Sequence, residues 1–487
     1  MNAVFDLAII GGGINGAGIA RDAAGRGLKV LLAEQGDLAG ATSSASTKLI
    51  HGGLRYLEFF EFRLVREALT EREILLRAAP HIIWPLRFVM PYRAGGRPRW
   101  MLRAGLFLYD HLGGRTLLPP TRTLRFRDDI ALREDIVSGF EYSDCWVDDA
   151  RLVVLTARDA ANRGADIRTR VRCEAARSED GLWRLSLSDG AEARARVLVN
   201  AAGPFVARVL TDVVARNEPA RVRLVKGSHI VVKRLFDDDR NFILQNPDGR
   251  VCFAIPWQED FTLIGTTDEE FDGDPSHVTI SPAETAYLCA AVSAWFRRTI
   301  TADDVVWSFA GVRPLRDDGA SAARAVTRDY VLELTGTPPV LSVYGGKITT
   351  FRRLAEAAMD RLSPLFPGLK PAWTASASLP GGDFPWDGFC ELRAALARRY
   401  PFLSAATAHR LTRAYGTLAP ALLGDARTAA DLGQDHGAGL TDREIDWLRR
   451  HEWARTADDI LWRRTKLGLR FTPAEAGALQ RLLSASS

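Results

Sequence analysis

Gly11, Gly13 and Gly16 stand in the spacing G-x-G-x-x-G, directly after the apolar run 7–10 and before residues 17–26, which continue at helical spacing. A strand, a glycine turn and a helix in that order can hold a diphosphate. The first glycine permits the tight turn, and the second lets backbone N–H groups approach the pyrophosphate. The third lets the helix pack closely on the strand, with its positive end facing the phosphates. Ile14 and Asn15 lie inside the same turn. Residues 29–33 read as the next strand, ending at Glu34, 18 positions after Gly16. A carboxylate there can accept hydrogen bonds from a ribose diol. A secretion signal is the poorer reading, because residues 1–6 carry no basic side chain and glycines interrupt the apolar run. The segment predicts an adenine dinucleotide site.

Two further elements narrow the choice of dinucleotide. "VLVNAAGPF" (197–205) reads as a strand ending in small residues, with Ala201 and Gly203 allowing close backbone approach. "VYGGKITT" (343–350) sets Gly346, Lys347 and Thr349 just ahead of a helical run. N–H groups at that helix start could face a flavin pyrimidine and stabilise the negative charge of the reduced ring. There is one complete glycine fingerprint and no second, which argues against a separate NAD(P)H domain. The three elements together favour FAD over NAD.

These turns need a scaffold, and composition bounds it. A chain of 487 residues is long enough for two or three domains. With 47% hydrophobic and 25% charged residues it has ordinary globular proportions. No apolar run approaches the roughly 18 residues of a spanning helix, so any membrane contact is expected to be peripheral. The net charge is +4 and the basic residues are scattered, which disfavours nucleic acid as a partner. Five cysteines without a C-x-x-C pair suggest reduced thiols in the cytoplasm. Eight histidines without close ligand spacing give no metal site.

The expected fold class is α/β: a Rossmann-like FAD-binding domain interleaved with an antiparallel-sheet substrate domain, plus an α-helical C-terminal domain. The runs "SHIVV", "VCFAIPW" and "FTLIGTT" between 224 and 267 are strand-like and separated by turns, as in an antiparallel cavity wall. The cofactor module should span 1–370, its cap lying mainly at about 90–140 and 221–305. A Pro/Gly/Ser-rich linker at 371–388 should precede a helical domain at 389–487. Within that domain "TADDILWRRTKLG" places Thr456 as an N-cap, Asp459 three positions on and Gly468 past the helix end.

"GGGINGAGIARDAAGRGL", "ATSSASTKLIHGGLRYLE", "GFEYSDCWVDDARLV", "KGSHIVV", "IPW…IGTTD", "GVRPL", "TRDY", "YGGKITT" and "RTADDILWRRTK" run in order from residue 11 to 466. They resemble the aerobic, FAD-dependent glycerol-3-phosphate dehydrogenases of bacteria. The resemblance implies a glycine-oxidase-like flavoprotein fold and oxidation of sn-glycerol 3-phosphate to dihydroxyacetone phosphate. It also implies electron transfer from FAD to membrane quinone, a homodimer, and peripheral attachment to the cytoplasmic face of the inner membrane.

Oxidising a secondary alcohol needs hydride transfer from C2 to flavin N5, a base for the hydroxyl proton and cations for the phosphate. On this reading Thr42, Ser43, Ser44, Ser46, Lys48 and Leu49 join the fingerprint turn, Glu34, Ala201, Gly203, Gly346, Lys347 and Thr349 in holding FAD. Arg55, Tyr56, Arg313, Arg328 and Lys347 are the candidates for binding substrate, because guanidinium forks match phosphate oxygens. His51 and His229 are alternative bases, with Arg313 or Lys347 stabilising an alkoxide-like state. An amine or amino-acid oxidase of the same fold is the rival enzyme, although it needs only one Arg for a carboxylate. A turnover-free scaffold of this fold is the rival outside catalysis. Finally, residues 92–115 interleave Arg93, Arg97, Arg99 and Arg103 with Trp100, Phe107 and other apolar residues. A short helix from Pro98 to near Gly113 could lie on an anionic membrane there, or pack inside the substrate domain.

Overall fold

The computed structural model describes residues 4–485 except 95, 115, 128, 217–221 and 317–328. Its first sheet is built around the chain's start. Strands Asp166–Thr169, Val30–Glu34, Val4–Ile10, Glu192–Asn200 and Val340–Tyr344 run parallel in that spatial order, with Val331–Thr335 antiparallel at the edge. Residues 7–10 and 30–33 are closed from solvent on both sides, which is why they read as unbroken apolar runs rather than alternating ones. The helix Ile14–Gly25 crosses this sheet and packs between helices Asp149–Asn162 and Phe351–Leu362. A buried Arg21–Asp159 ion pair of 2.7 Å joins the first two of these helices.

Among the described residues the second sheet has ten strands and is mostly antiparallel. The three runs read from sequence are strands Val222–Lys233, Val251–Trp257 and Phe261–Gly265, and Asn241–Gln245 joins them. The sheet reaches past the expected cap limits, because Ile83–Tyr92, Ser138–Val147 and Val305–Arg316 also belong to it. Ser138–Val147 is buried at every position, polar residues included. Its alternation is therefore hidden, and the sequence shows no clean strand pattern there. Residues 371–388 do not hang free: Leu379 is buried and Trp373 lies under the Arg21 and Arg163 guanidinium groups.

The helical domain has its own core, including Leu411, Leu422, Leu448, Ile460 and Leu479. Thr456 and Asp459 exchange the capping contacts that their spacing promised, Thr456 N donating to Asp459 Oδ2 at 2.9 Å and Asp459 N to Thr456 Oγ1 at 3.3 Å. The helix then widens into a π turn at Asp459–Arg464 and ends at Lys466, whose φ is 60°.

One buried carboxylate locks the cap together. Glu284, on helix Pro282–Ser293, accepts hydrogen bonds from Ser228 Oγ (2.7 Å), Thr267 Oγ1 (2.8 Å) and Ser281 N (2.9 Å), and pairs with Lys226 at 2.7 Å. Burial alone would raise its pKa, but the Lys226 ammonium and these donors outweigh burial and hold it at about 2. A carboxylate depressed in the folded state adds stability above its unfolded pKa and loses it as pH falls toward the folded value. Glu284→Gln should therefore cost about 1.5–3 kcal/mol at neutral pH. Urea unfolding should show the gap between variant and wild type narrowing at about pH 3; a gap that stays constant would remove Glu284 from the acid limb.

Candidate active site

Four turns meet at the carboxyl ends of the first sheet. At the fingerprint, Gly11 has a φ of 110°, and a Cβ on Gly16 would stand 1.9 Å from the Gly11 carbonyl oxygen. Only glycine permits both features, and the resulting close approach brings the start of helix Ile14–Gly25 against Ala201. That helix start has no cap from its own N-cap residue, Gly13, and no acidic residue in its first turn, so its positive end faces an anion without competition from a local carboxylate. Ile14 N donates to Ser43 Oγ at 3.0 Å. Glu34 closes the other end of the fingerprint, accepting from Gly12 N at 2.6 Å and Gly36 N at 2.7 Å. Burial raises its pKa, and those two amides oppose the rise.

The remaining turns lock onto this one. Asn15 Nδ2 donates to Gly345 O at 3.1 Å, while its buried Oδ1 has no protein partner among the described residues. Thr42 Oγ1 donates to Val312 O at 2.6 Å, and His51 N to Thr349 Oγ1 at 3.3 Å. Gly203, at φ 57°, has open space where a Cβ would stand, and Gly346 lies against Asn15. A helix start free of acidic residues, a fixed carboxylate and an amide oxygen without a protein partner among the described residues form a donor and acceptor set that fits a dinucleotide.

Three residues expected on the cofactor instead turn their side chains into the protein, which leaves only their backbone to face a ligand. Lys48 is closed from solvent, and its ammonium donates to both Asp149 oxygens at 2.9 Å and to Ser44 O at 3.0 Å. Ser46 Oγ donates to Asp149 Oδ2 at 2.7 Å, and Leu49 is a buried strand residue paired with Trp146. The physical reason is Asp149: buried at the start of its helix, it requires partners, and this segment supplies them. Sequence spacing could not reveal a carboxylate about a hundred residues away.

On the substrate side, His51 is half-buried and meets Phe253 edge-on at 6.5 Å. Arg55 and Tyr56 follow on the turn Leu54–Phe59, and the Lys347 ammonium sits 3.9 Å from the centre of the Tyr56 ring. Arg313 donates to Asp268 Oδ1 at 2.5 Å and lies so close to Gly227 that a Cβ there would meet its Nη2 at 2.4 Å. Arg328 falls outside the described residues. Asp268 and Gly227, which lie within the motifs "IGTTD" and "KGSHIVV", are thus the neighbours that fix the Arg313 side chain.

The two candidate bases differ sharply. His229 is 1% exposed, stacked on Phe309 at 4.7 Å, with Nε2 3.0 Å from Thr47 Oγ1. A Cβ on Gly265 would stand 2.0 Å from its ring. Burial, and then the charges of Lys48 and Arg313, hold its pKa well below the usual histidine value. It is a neutral ring sealed in the sheet, which corrects its assignment as a base open to substrate.

The cofactor turn yields a direct test. Gly16→Val should abolish dinucleotide retention, and Glu34→Ala should weaken it about 10- to 150-fold, the loss of charged hydrogen-bond partners. The flavin-to-protein absorbance ratio of purified, folded protein reads both. Full retention in Glu34→Ala would move the ribose away from this strand end.

Residues 6–352 match the family of FAD dependent oxidoreductases, and residues 372–485 match the C-terminal domain of alpha-glycerophosphate oxidase. The chain is 56% identical to a glycerol-3-phosphate dehydrogenase of Pseudomonas aeruginosa, over 99% of this chain and 95% of that one. It is 50% identical to a D-erythritol 1-phosphate dehydrogenase of Brucella abortus, over 97% and 96%. The solved glycerol-3-phosphate dehydrogenase of Bacillus halodurans, complexed with FAD, has a TM-score of 0.75 at 26% identity and covers 99% of this chain and 94% of its own. A glycine oxidase from Geobacillus kaustophilus shares the fold at a TM-score of 0.56 and 20% identity, over 78% and 99%. Identity at this level along nearly the whole length, on a fold whose strand ends suit the dinucleotide, places the chain in the bacterial glycerol-3-phosphate dehydrogenase family, as an FAD-dependent oxidoreductase.

Proposed function

We propose that this enzyme oxidises the secondary alcohol of a small polyol phosphate, sn-glycerol 3-phosphate, to dihydroxyacetone phosphate and passes the electrons to membrane quinone. The observation that supports the substrate class is the set of cations carried by the elements around the cofactor turns: Lys347 over the Tyr56 ring, Arg55 one residue before that tyrosine, and Arg313 one residue after the carbonyl that holds Thr42. A phosphate dianion needs such a set, whereas an amino-acid carboxylate needs one guanidinium. Arg55 and Lys347 hold the phosphate. Arg313, backed by Asp268, faces the oxygen that gains charge as the alcohol loses its proton. His51 takes that proton, being the candidate imidazole that is not sealed in the sheet. The flavin, when bound, supplies the acceptor for the hydride from C2. Anaerobic mixing of the holoenzyme should bleach the flavin with sn-glycerol 3-phosphate and not with glycine or D-alanine. D-erythritol 1-phosphate, the substrate named for one relative, should reduce it more slowly. Arg55→Ala should raise the half-saturating concentration about tenfold or more, and Arg313→Ala should also slow bleaching at saturation. Unchanged affinity in both variants would empty the proposed phosphate site.

The membrane contact falls to helix Arg99–Leu112. Leu106 and Tyr109 face inward, while Trp100 is 74% and Phe107 60% exposed. Phe60, 78% exposed, projects from the turn that carries Arg55 and Tyr56. Tyr109 OH accepts from Gly52 N at 2.7 Å and donates to Asp144 at 2.7 Å, so the helix is fastened directly behind the His51 loop. Among the described residues no helix is long and apolar enough to cross a membrane. An aromatic face beside the site would instead dip into the lipid boundary, where quinone resides. In flotation with anionic liposomes, Trp100→Ser with Phe107→Ser should lower partitioning about tenfold or more. Equal flotation of two flavin-loaded proteins would place the contact elsewhere.

A further inference from the structure

One short piece of the helical domain reaches toward both the cofactor loops and the cap. Asp37, three residues after Glu34 and almost fully buried, receives Arg463 Nε at 2.5 Å. It also receives both terminal nitrogens of Arg464, at 2.6 and 2.8 Å. Arg464 is itself closed from solvent. The same loop is held from its other side. Arg170 N donates to Gly36 O at 2.9 Å, and Arg170 Nη2 donates to Asp459 Oδ2 at 2.6 Å. Gly36 in turn is one of the two amides that fix the Glu34 carboxylate.

The second reach is toward helix Asp149–Asn162, on which the turn Asp459–Arg464 packs and whose first residue, Asp149, holds Ser46 and Lys48 of the loop that carries Ser43. Lys466, 2% exposed, folds its ammonium onto the carbonyl of Trp462. There it acts electrostatically on Lys48, Asp148 and Asp149, the cluster that ties down Ser44 and Ser46. The third reach is toward the cap. The Trp462 indole stacks on Trp307 at 4.4 Å and 13°, on the strand Val305–Arg316 that also carries Arg313. Arg470 adds a 2.7 Å pair to Asp260. The helix is widened to a π turn where these contacts converge, and that widening sets Arg463 and Arg464 on one carboxylate while Trp462 faces the cap.

We propose that residues 459–466 are a positioning element of the cofactor site: the helical domain sets the loops 34–40 and 43–48, and cofactor binding and docking of this segment stabilise each other. The proposal rests on the reading that those loops hold FAD. The buried Asp37 carboxylate explains why coupling is required. Without its two guanidinium partners it is an uncompensated buried charge, and the loop that bears it must rearrange together with Glu34. Coupling of this kind is reciprocal, so FAD must tighten a segment in another domain.

Hydrogen exchange on the full-length protein, with FAD stripped and with FAD saturating, measures this. Amides of 459–466 should exchange more slowly with FAD, by about 5- to 150-fold, alongside those of 12–16. Arg464→Lys, which keeps the charge but removes the fork, should weaken FAD binding by a similar factor of about 5 to 150. Its KM for glycerol 3-phosphate at saturating FAD should stay within about twofold of wild type, since a cofactor-positioning residue does not touch the phosphate. Protection at 12–16 with none at 459–466 would overturn the proposal, as would a folded Arg464→Lys with wild-type FAD affinity. Protection at 459–466 without any at 12–16 would instead overturn the placement of FAD on which the proposal rests. If Arg464→Lys fails to fold, the wild-type exchange comparison decides alone.

Discussion

The Lys48–Asp149 ion pair lies between the two sheets, and the geometry of the site hangs from it. Both side chains are closed from solvent, so neither charge has water to fall back on. Removing one partner of such a pair typically costs about 3–5 kcal/mol, because the other is left charged in a poor dielectric. The constraint is more than energetic. Asp149 opens the helix Asp149–Asn162 against the first sheet, and Lys48 immediately precedes the short strand Leu49–Ile50 of the second. Fixing the two together fixes Ser43 one way and His51 the other. The Lys48 ammonium also lies 4.9 Å from the Phe309 ring, beneath the stack that seals His229.

The same device recurs through the structure, both between modules and within them. Arg151 binds Glu452, Arg352 binds Glu71 and Glu356, Arg72 binds Asp144, and Arg410 binds Glu444, all with little or no exposure. An arginine-heavy composition thus has a structural use as well as a surface one. A planar fork satisfies both oxygens of a buried carboxylate and still donates to backbone carbonyls, as Arg151 does to Ala414 O. Lysine can do this only where a carboxylate and a carbonyl happen to lie within reach of one ammonium, as at Lys48.

The two histidines show how register decides chemistry. His229 lies in a strand flanked on both sides, opposite Gly265 and Phe309, and this pairing turns its ring into the sheet contact. His51 comes just after a two-residue strand, where the chain leaves the sheet for the turn bearing Arg55 and Tyr56. Equal as imidazoles in the sequence, they separate through neighbours 36 to 80 positions from His229. A glycine opposite makes room for the ring, and a phenylalanine covers it.

Local chemistry carried much of the reading. The glycine spacing, the strand ending at Glu34, the turn at 345–350 and the Thr456–Asp459 cap each depend on residues close together in the chain, where sterics and hydrogen bonding leave few alternatives. These sufficed for the α/β class, the dinucleotide and the helical end. The limits of the cap were not legible, because Ser138–Val147 is buried on both faces and shows no alternation. Nor was the inward turn of Ser46 and Lys48, the burial of His229, or the hold of Arg463 and Arg464 on Asp37. Each of these depends on one group meeting another across 36 to 427 residues. Desolvation gives such meetings their energy, and only the packed tertiary structure brings the groups out of water together.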